Sequence, residues 1–170
     1  TNTGSFGNIF TYKGFTLNVF LTYSFGNVVR LNPCFRNSYS DLTATPREFR
    51  NRWRIPGDEK TTNIPGIATA RQNYEIANLN IAYSAYNYST ERIAKGDFIR
   101  LKEVSLGYDL PKKLISNLGL STISMKLQGT NLLLLYADKK LNGQDPEFFN
   151  TGGVAIPMAK QFTFTLRVGL

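Results

Sequence analysis

"FTLNVFLTYSF", residues 15–25, alternates from end to end. Phe15, Leu17, Val19, Leu21, Tyr23 and Phe25 fall on one side of an extended chain, and Thr16, Asn18, Phe20, Thr22 and Ser24 on the other. Successive side chains of a strand point to opposite faces. This is therefore a strand with one aliphatic and aromatic face and one mainly polar face. The run before it, "SFGNIFTY" at 5–12, joins it through Lys13-Gly14. A two-residue hairpin there sets Tyr12 against Phe15, Phe10 against Leu17, Asn8 against Val19 and Phe6 against Leu21. Thr11 then meets Thr16, and Ser5 meets Thr22, on the other face. Register and faces agree, as cross-strand pairing requires. Lys-Gly is a weaker turn signal than Asn-Gly and leaves the turn type open.

The same period recurs downstream. In "GDFIRLKEVSLGYDLPKK" (96–113) the apolar residues are odd at Ile99 and Leu101 but even at Val104, Leu106, Tyr108 and Leu110. The phase flips near Lys102-Glu103, which predicts a bulge or a change of environment. A turn follows over 110–121, with one helical turn expected after Pro111. In "STISMKLQGTNLLLLY" (121–136), Ile123, Met125, Leu127, Leu133 and Leu135 share a face with Gly129 and Asn131. In "QFTFTLRVGL" (161–170), Phe162, Phe164, Leu166, Val168 and Leu170 share one. Strands are thus expected at about 5–12, 15–25, 98–109, 122–135 and 161–170. Between 26 and 96 the alternation lapses among Pro33, Pro46, Pro56 and Pro65 and the basic run "REFRNRWR" at 47–54. A short helix around 40–53, capped by Asp41 or Thr45, is expected there. So long a stretch without clear elements is unusual in a compact soluble domain.

Composition removes most chemistries. The chain has 170 residues and no histidine, so Ser-His-Asp, Cys-His and HExxH sites are excluded. Cys34 is the only cysteine, which rules out an intrachain disulfide and a cysteine metal cluster and leaves a loop thiol without a role. "GDE" at 57–59 and "GQDPE" at 143–147 read as turns rather than as acid–base pairs. No phosphate-binding glycine motif occurs, and no catalytic, metal or cofactor site is expected. The net charge of +8 permits an acidic partner without choosing one. No run approaches the roughly 20 apolar residues of a membrane helix, and no signal peptide is read at "TNTGSFGNIF".

Two all-β architectures fit this pattern. A soluble β-sandwich, with a structural or adhesive role, also alternates. A transmembrane barrel needs runs of about ten alternating residues, with short turns at one end and long loops at the other. Ten residues tilted by about 45° rise roughly 23 Å, close to an outer-membrane apolar band. Loop lengths here alternate short and long, Phe and Tyr gather near strand ends, and the final strand runs to Leu170. These features place the barrel ahead. A third reading, a basic nucleic-acid-binding module, rests on Arg47, Arg50, Arg52 and Arg54 around Trp53. No nucleic-acid motif accompanies that cluster, so a solvated loop or contact with lipopolysaccharide phosphates is preferred.

"GDFIRLKEVSLGYDLPKKL" (96–114), "MKLQGTNLLLLY" (125–136), "NGQDPE" (142–147) and the terminal "QFTFTLRVGL" resemble the C-terminal end of SusC/RagA-type TonB-dependent outer-membrane transporters of Bacteroidetes. "FTYKGFTLNVFLTYSFGNVV" (10–29) and "RWRIPGDEKTTNIP" (52–65) are similar to that family's preceding hairpin and long surface loop. The resemblance implies the last five strands of a 22-stranded antiparallel barrel of the plugged type. It puts the C-terminus and the turns 13–14 and 110–121 in the periplasm, and makes 26–96 and 137–160 extracellular loops.

It further implies a nutrient importer taking up oligosaccharides or peptides delivered by a SusD-like surface lipoprotein. TonB would act through segments upstream of Thr1, and outer-membrane lipid and lipopolysaccharide would surround the strands; no nucleic acid is involved. Trp53, Arg54, Tyr83, Tyr86 and Tyr88 are the expected substrate or partner contacts within the long loop. Such barrels usually end on an aromatic residue, and this sequence ends on Leu170.

Overall fold

The computed structural model describes residues 1–35, 45–116, 119–149 and 157–170. Its strands are β1 (Asn2–Tyr12), β2 (Phe15–Phe25), β3 (Val28–Arg30), β4 (Ile93–Lys95), β5 (Phe98–Asp109), β6 (Thr122–Ala137) and β7 (Gln161–Gly169). Its α-helices are α1 (Ala70–Glu75), α2 (Leu79–Tyr88) and the single turn α3 (Lys112–Ile115) that follows Pro111. None of the described helices is long and apolar enough to cross a membrane. The chain divides into two compact units. One holds Thr1–Asn27, Lys95–Asp138 and Gly143–Leu170; the other holds Val28–Ala94 and Lys139–Asn142.

The first unit is an antiparallel five-stranded sheet in the order β1-β2-β5-β6-β7. Within this sheet each strand pairs antiparallel with the next of its strands in chain order, β3 and β4 forming a separate pair between β2 and β5 in sequence. In the first hairpin Tyr12 faces Phe15, Phe10 faces Leu17 and Phe6 faces Leu21, the register that the alternation requires. Lys13 and Gly14 both have positive φ, 46° and 85°, which makes the turn type I′. A Cβ on Gly14 would lie 2.8 Å from the Asp109 carbonyl oxygen. Gly14→Ala is therefore expected to lower the stability of this hairpin by about 1–2 kcal/mol, since both the φ and the space are wrong. Denaturant unfolding of the variant would show an undiminished midpoint if the turn does not set the register.

A bulge does sit at Lys102. Phe20 pairs with Glu103 and Leu21 with Leu101, so Lys102 has no opposite number on β2. This extra residue is why the apolar phase of β5 flips. Leu106, Val104, Leu101 and Ile99 now all line up with Leu17, Val19, Leu21 and Tyr23. On the other side β6 carries its own irregularities. Glu103 pairs with Thr130 and Leu101 with Leu133, and between these Asn131 takes a φ of 54°. The shifts keep one apolar face continuous across the sheet.

That face is exposed. Phe10, Leu106, Leu127 and Phe164 all lie on it and all are solvent-accessible, Phe164 at 63%. Aromatic residues mark both its ends. Tyr12, Phe15 and Tyr108 form one row at the turn end, with Phe15 and Tyr108 stacked at 4.3 Å. Tyr23 and Tyr136, both opposite Ile99, form another at the far end.

The opposite face carries the polar residues, among them Thr16, Asn18, Ser105, Lys126, Gln128, Thr165 and Arg167. Asn18 Nδ2 donates to Glu103 Oε1 at 3.2 Å. Arg100 is buried and donates to Asp145 Oδ1 at 2.6 Å, with Glu147 Oε2 3.2 Å from its Nε. Asp145 also caps the short 3₁₀ turn Pro146–Phe148 by accepting from the Glu147 amide. "GQDPE" is thus a turn held by an ion pair.

The second unit falls within 26–96 and 139–142. Of the short helix expected around 40–53, the described residues show a 3₁₀ helix over Arg47–Asn51, with Pro46 at its N-cap and no side-chain cap bond from Thr45. Asp41 lies outside the described residues. Pro46 fixes where the turn starts, and the bond from Arg52 N to Phe49 O ends it. The helices α1 and α2, and the β3-β4 pair, appear where no element was expected. Phe35 organises the core. It stacks on Tyr83 at 4.6 Å and meets Phe49 and Tyr86 edge-on. Cys34, Phe49 and Ile64 complete the cluster.

Candidate ligand-contact surface

The basic run begins with the 3₁₀ helix and continues past its end through Arg52, Trp53 and Arg54. Trp53 N donates to Ile64 O at 2.9 Å, which fixes the backbone at the tryptophan. The indole Nε1 donates to Glu59 Oε2 at 3.2 Å, and the same oxygen accepts from Gly57 N at 2.7 Å. Asp58 Oδ2 accepts from the Arg54 and Ile55 amides, closing the turn at Pro56-Gly57. These backbone bonds hold the Asp58 and Glu59 carboxyls below their ordinary pKa. Both acids are therefore occupied with shaping the turn. Gly66 leaves room for the Trp53 carbonyl: a Cβ there would lie 2.7 Å from Trp53 O, with ring atom Cε3 in ordinary contact at 3.4 Å.

Trp53, 41% exposed, thus lines the wall of a recess of about 740 Å³, with Arg52 and Arg54 beside it and Thr69, Gln72 and Tyr83 across from it. α1 presents Thr69 and Gln72 through a capping box, in which Thr69 Oγ1 accepts from Gln72 N and Gln72 Oε1 accepts from Thr69 N. α2 presents Tyr83, whose hydroxyl donates to Gly66 O at 2.9 Å.

The expected contact residues divide accordingly. Trp53, Arg54 and Tyr83 share one recess. Tyr86 does not; it packs on Phe35 in the core beside Arg92. Tyr88 is 74% exposed at the end of α2 and does not line the recess; the Arg30 guanidinium lies over its ring at 5.7 Å. Arg52, Gln72 and Glu59 were not among the expected contacts. The Thr69-x-x-Gln72 spacing is a helix-start signal that would have placed Gln72.

Beneath this surface lies a buried polar knot. Arg92 Nη1 binds Glu48 Oε1 at 2.7 Å, Arg92 Nη2 donates to Asn32 O, and the Cys34 thiol lies 3.3 Å from Glu48 Oε1. Burial, with Glu48 adding to it and Arg92 opposing, pushes the Cys34 pKa up to about 12. Only the thiolate alkylates readily. Cys34 is therefore expected to resist maleimide at pH 8 in the folded protein and to react fully in guanidinium, as read by peptide mass spectrometry. Rapid native labelling would mean that this core opens.

An antiparallel sheet with one continuous apolar face and aromatic rows at both ends has the pattern of transmembrane β-barrel strands. No protein-family model matches the chain. It is similar to two receptors of Formosa agariphila: TonB-dependent receptor P39, 27% identical over 158 residues, and TonB-dependent receptor P3, 29% identical over 145 residues. The alignments cover 91% and 85% of this chain but only 14% and 12% of those receptors. Among solved structures the RagAB peptide transporter superposes with a TM-score of 0.69 at 24% identity, over 99% of this chain and 17% of that one. The RagAB peptide importer in its "open-open" state gives 0.68. The likeness read from the sequence, to TonB-dependent receptors of the SusC/RagA kind, is the likeness these proteins show. They are receptors and transporters, not enzymes.

Proposed function

We propose that this chain supplies the last five strands of the barrel of a TonB-dependent outer-membrane transporter, one that imports oligosaccharides or peptides with a SusD-like surface lipoprotein. The observation that carries this reading is the continuous exposed apolar face. Among the described residues the outer edges of β1 and β7 are unpaired, which hydrocarbon does not tolerate, so this reading requires further strands of a longer chain to close the sheet. From Phe15 to Tyr23 the strand runs about 26 Å, or roughly 20 Å of height at a 40° tilt, near the apolar band of such barrels. In this arrangement Lys13-Gly14 and 110–121 are periplasmic turns and the C-terminus is periplasmic. The segments 26–96 and 137–160 face outward, and the Trp53 recess meets cargo or lipoprotein. The likeness to a two-component importer supports the lipoprotein partner.

An immunoblot of fractionated cells that make the protein, using an antibody to residues 70–88, tests this. A band several times heavier than 19.1 kDa in the outer membrane is expected. A 19.1 kDa band in the soluble fraction would overturn it.

A further inference from the structure

We infer that the recess between Trp53 and α1 is a binding site for an acidic oligosaccharide, recognised by its carboxylate or sulfate groups and by one flat face of a sugar ring. As a statement about cargo it rests on the transporter reading; as a binding site it stands on its own geometry.

Three observations carry it. First, among the described residues neither cation at the recess is held in a salt bridge, although the Arg54 charge is felt by Asp58. Arg54 Nη2 donates to the Arg50 carbonyl at 2.7 Å and Arg52 Nη1 to the Phe49 carbonyl at 3.3 Å, so both guanidiniums are oriented by neutral acceptors. Glu48 is paired with Arg92, Glu59 accepts from Trp53 and Gly57, and Asp58 Oδ2 accepts from two backbone amides, so the hydrogen bonds of these carboxylates go to groups other than the Arg52 and Arg54 guanidiniums. Each guanidinium keeps donors in the planar fork that fits a carboxylate or sulfate.

Second, Trp53 is preorganised. Its backbone is bonded to Ile64, its indole nitrogen to Glu59, and Gly66 packs against its carbonyl and the Cε3 edge of its ring. The ring is held in place with 41% of the residue exposed. It suits the C–H face of a sugar, with little ordering left to do on binding. Third, about 740 Å³ lies in the range of small-ligand sites, about 300–1,000 Å³. Gln72 adds a side-chain amide; its Oε1 is used within α1's capping box, which leaves its NH2 group for a hydroxyl. An extended peptide is a poorer fit, because peptide capture in this manner uses a sheet edge, and no strand lines the recess.

The test is isothermal titration calorimetry on the full-length protein in detergent. The probes are tetragalacturonate, a sulfated carrageenan tetrasaccharide, neutral cellotetraose and tetraglutamate. At least one acidic saccharide is expected to bind about tenfold or more tighter than cellotetraose, and more weakly as salt rises. Arg54→Gln and Trp53→Ala are each expected to weaken it about tenfold. Trp53→Phe, which keeps a ring against Gly66, should lose less. Matched thermal midpoints show that the variants are folded.

Equal affinity for cellotetraose, tighter binding of tetraglutamate, no binding of either acidic saccharide, or unchanged affinity in both variants would each overturn the proposal. Fractionation separates the two ideas. A soluble 19.1 kDa chain that binds the acidic sugar keeps the site and sinks the transporter. An outer-membrane protein that binds none sinks the site alone.

Discussion

Arg92→Ala is expected to destabilise the folded insertion between β2 and β5 by about 3 kcal/mol, the lower end of what removing one member of a buried ion pair costs. Arg92 is 2% exposed and reaches three separate segments of the insertion. Its backbone oxygen accepts from Leu31 N at 2.8 Å, its Nη2 donates to Asn32 O, and its Nη1 binds Glu48 on the 3₁₀ helix. The Tyr86 ring lies 5.9 Å from the guanidinium. Among the described residues, alanine would leave the Glu48 carboxylate with the Cys34 thiol at 3.3 Å and Asn142 Nδ2 at 3.4 Å. Neither neutralises it. Glu48 keeps some access to water, which is why the lower end applies. Lysine would restore the charge but not the fork that serves Glu48 and Asn32 together.

Hydrogen exchange across residues 28–94 reads the effect locally, without unfolding the sheet. A second variant separates charge from volume. Arg92→Met with Glu48→Leu removes both charges and fills the space, so it should recover most of the loss. If the double variant is as unstable as Arg92→Ala, the knot acts through shape rather than through an unpaired charge.

The insertion was the part of this chain least legible in its sequence, and the reason is local. In "LNIAYSAYNY" the apolar residues keep no clean period, and Ile81, Tyr83, Tyr86 and Tyr88 are β-forming residues. It is nonetheless helical, because a helix brings Tyr83 and Tyr86, three apart, onto the same Phe35 ring. That contact depends on a residue nearly fifty positions away and has no trace in the window itself. The sheet behaves differently. Its register follows from alternation alone in the hairpin, and even the bulge at Lys102 is announced by a change of phase. Period two survives because each strand's face is set by its surroundings, not by one distant partner. Of the contact surface, the aromatic and basic letters were visible. Which of them converge was not: Tyr86 is spent on the core while Tyr83 lines the recess.

A depth gradient along the apolar face should follow if that face meets lipid. Val104 pairs with Val19 on one side and Gly129 on the other, in the middle row of the sheet. Tyr12 lies at the turn end, 69% exposed, with the Lys13 ammonium already 5.2 Å from its ring centre. An arginine at the midplane of a membrane barrel costs about 2–4 kcal/mol, and one near the interface about 0–1 kcal/mol. Val104→Arg is therefore expected to cut the heat-modifiable, folded fraction of the full-length protein in lipid vesicles severely, and Tyr12→Arg to leave most of it. Thr163→Arg, opposite Gln128 on the polar face, should be nearly neutral. A face packed against another protein layer would show no such dependence on depth, because an arginine is poorly accommodated anywhere beneath a cover. Equal losses at Val104 and Tyr12 would thus argue for a covered sheet and against a lipid-facing one. A loss at Val104 alone would mean that the alternation first visible in residues 15–25 is written against hydrocarbon.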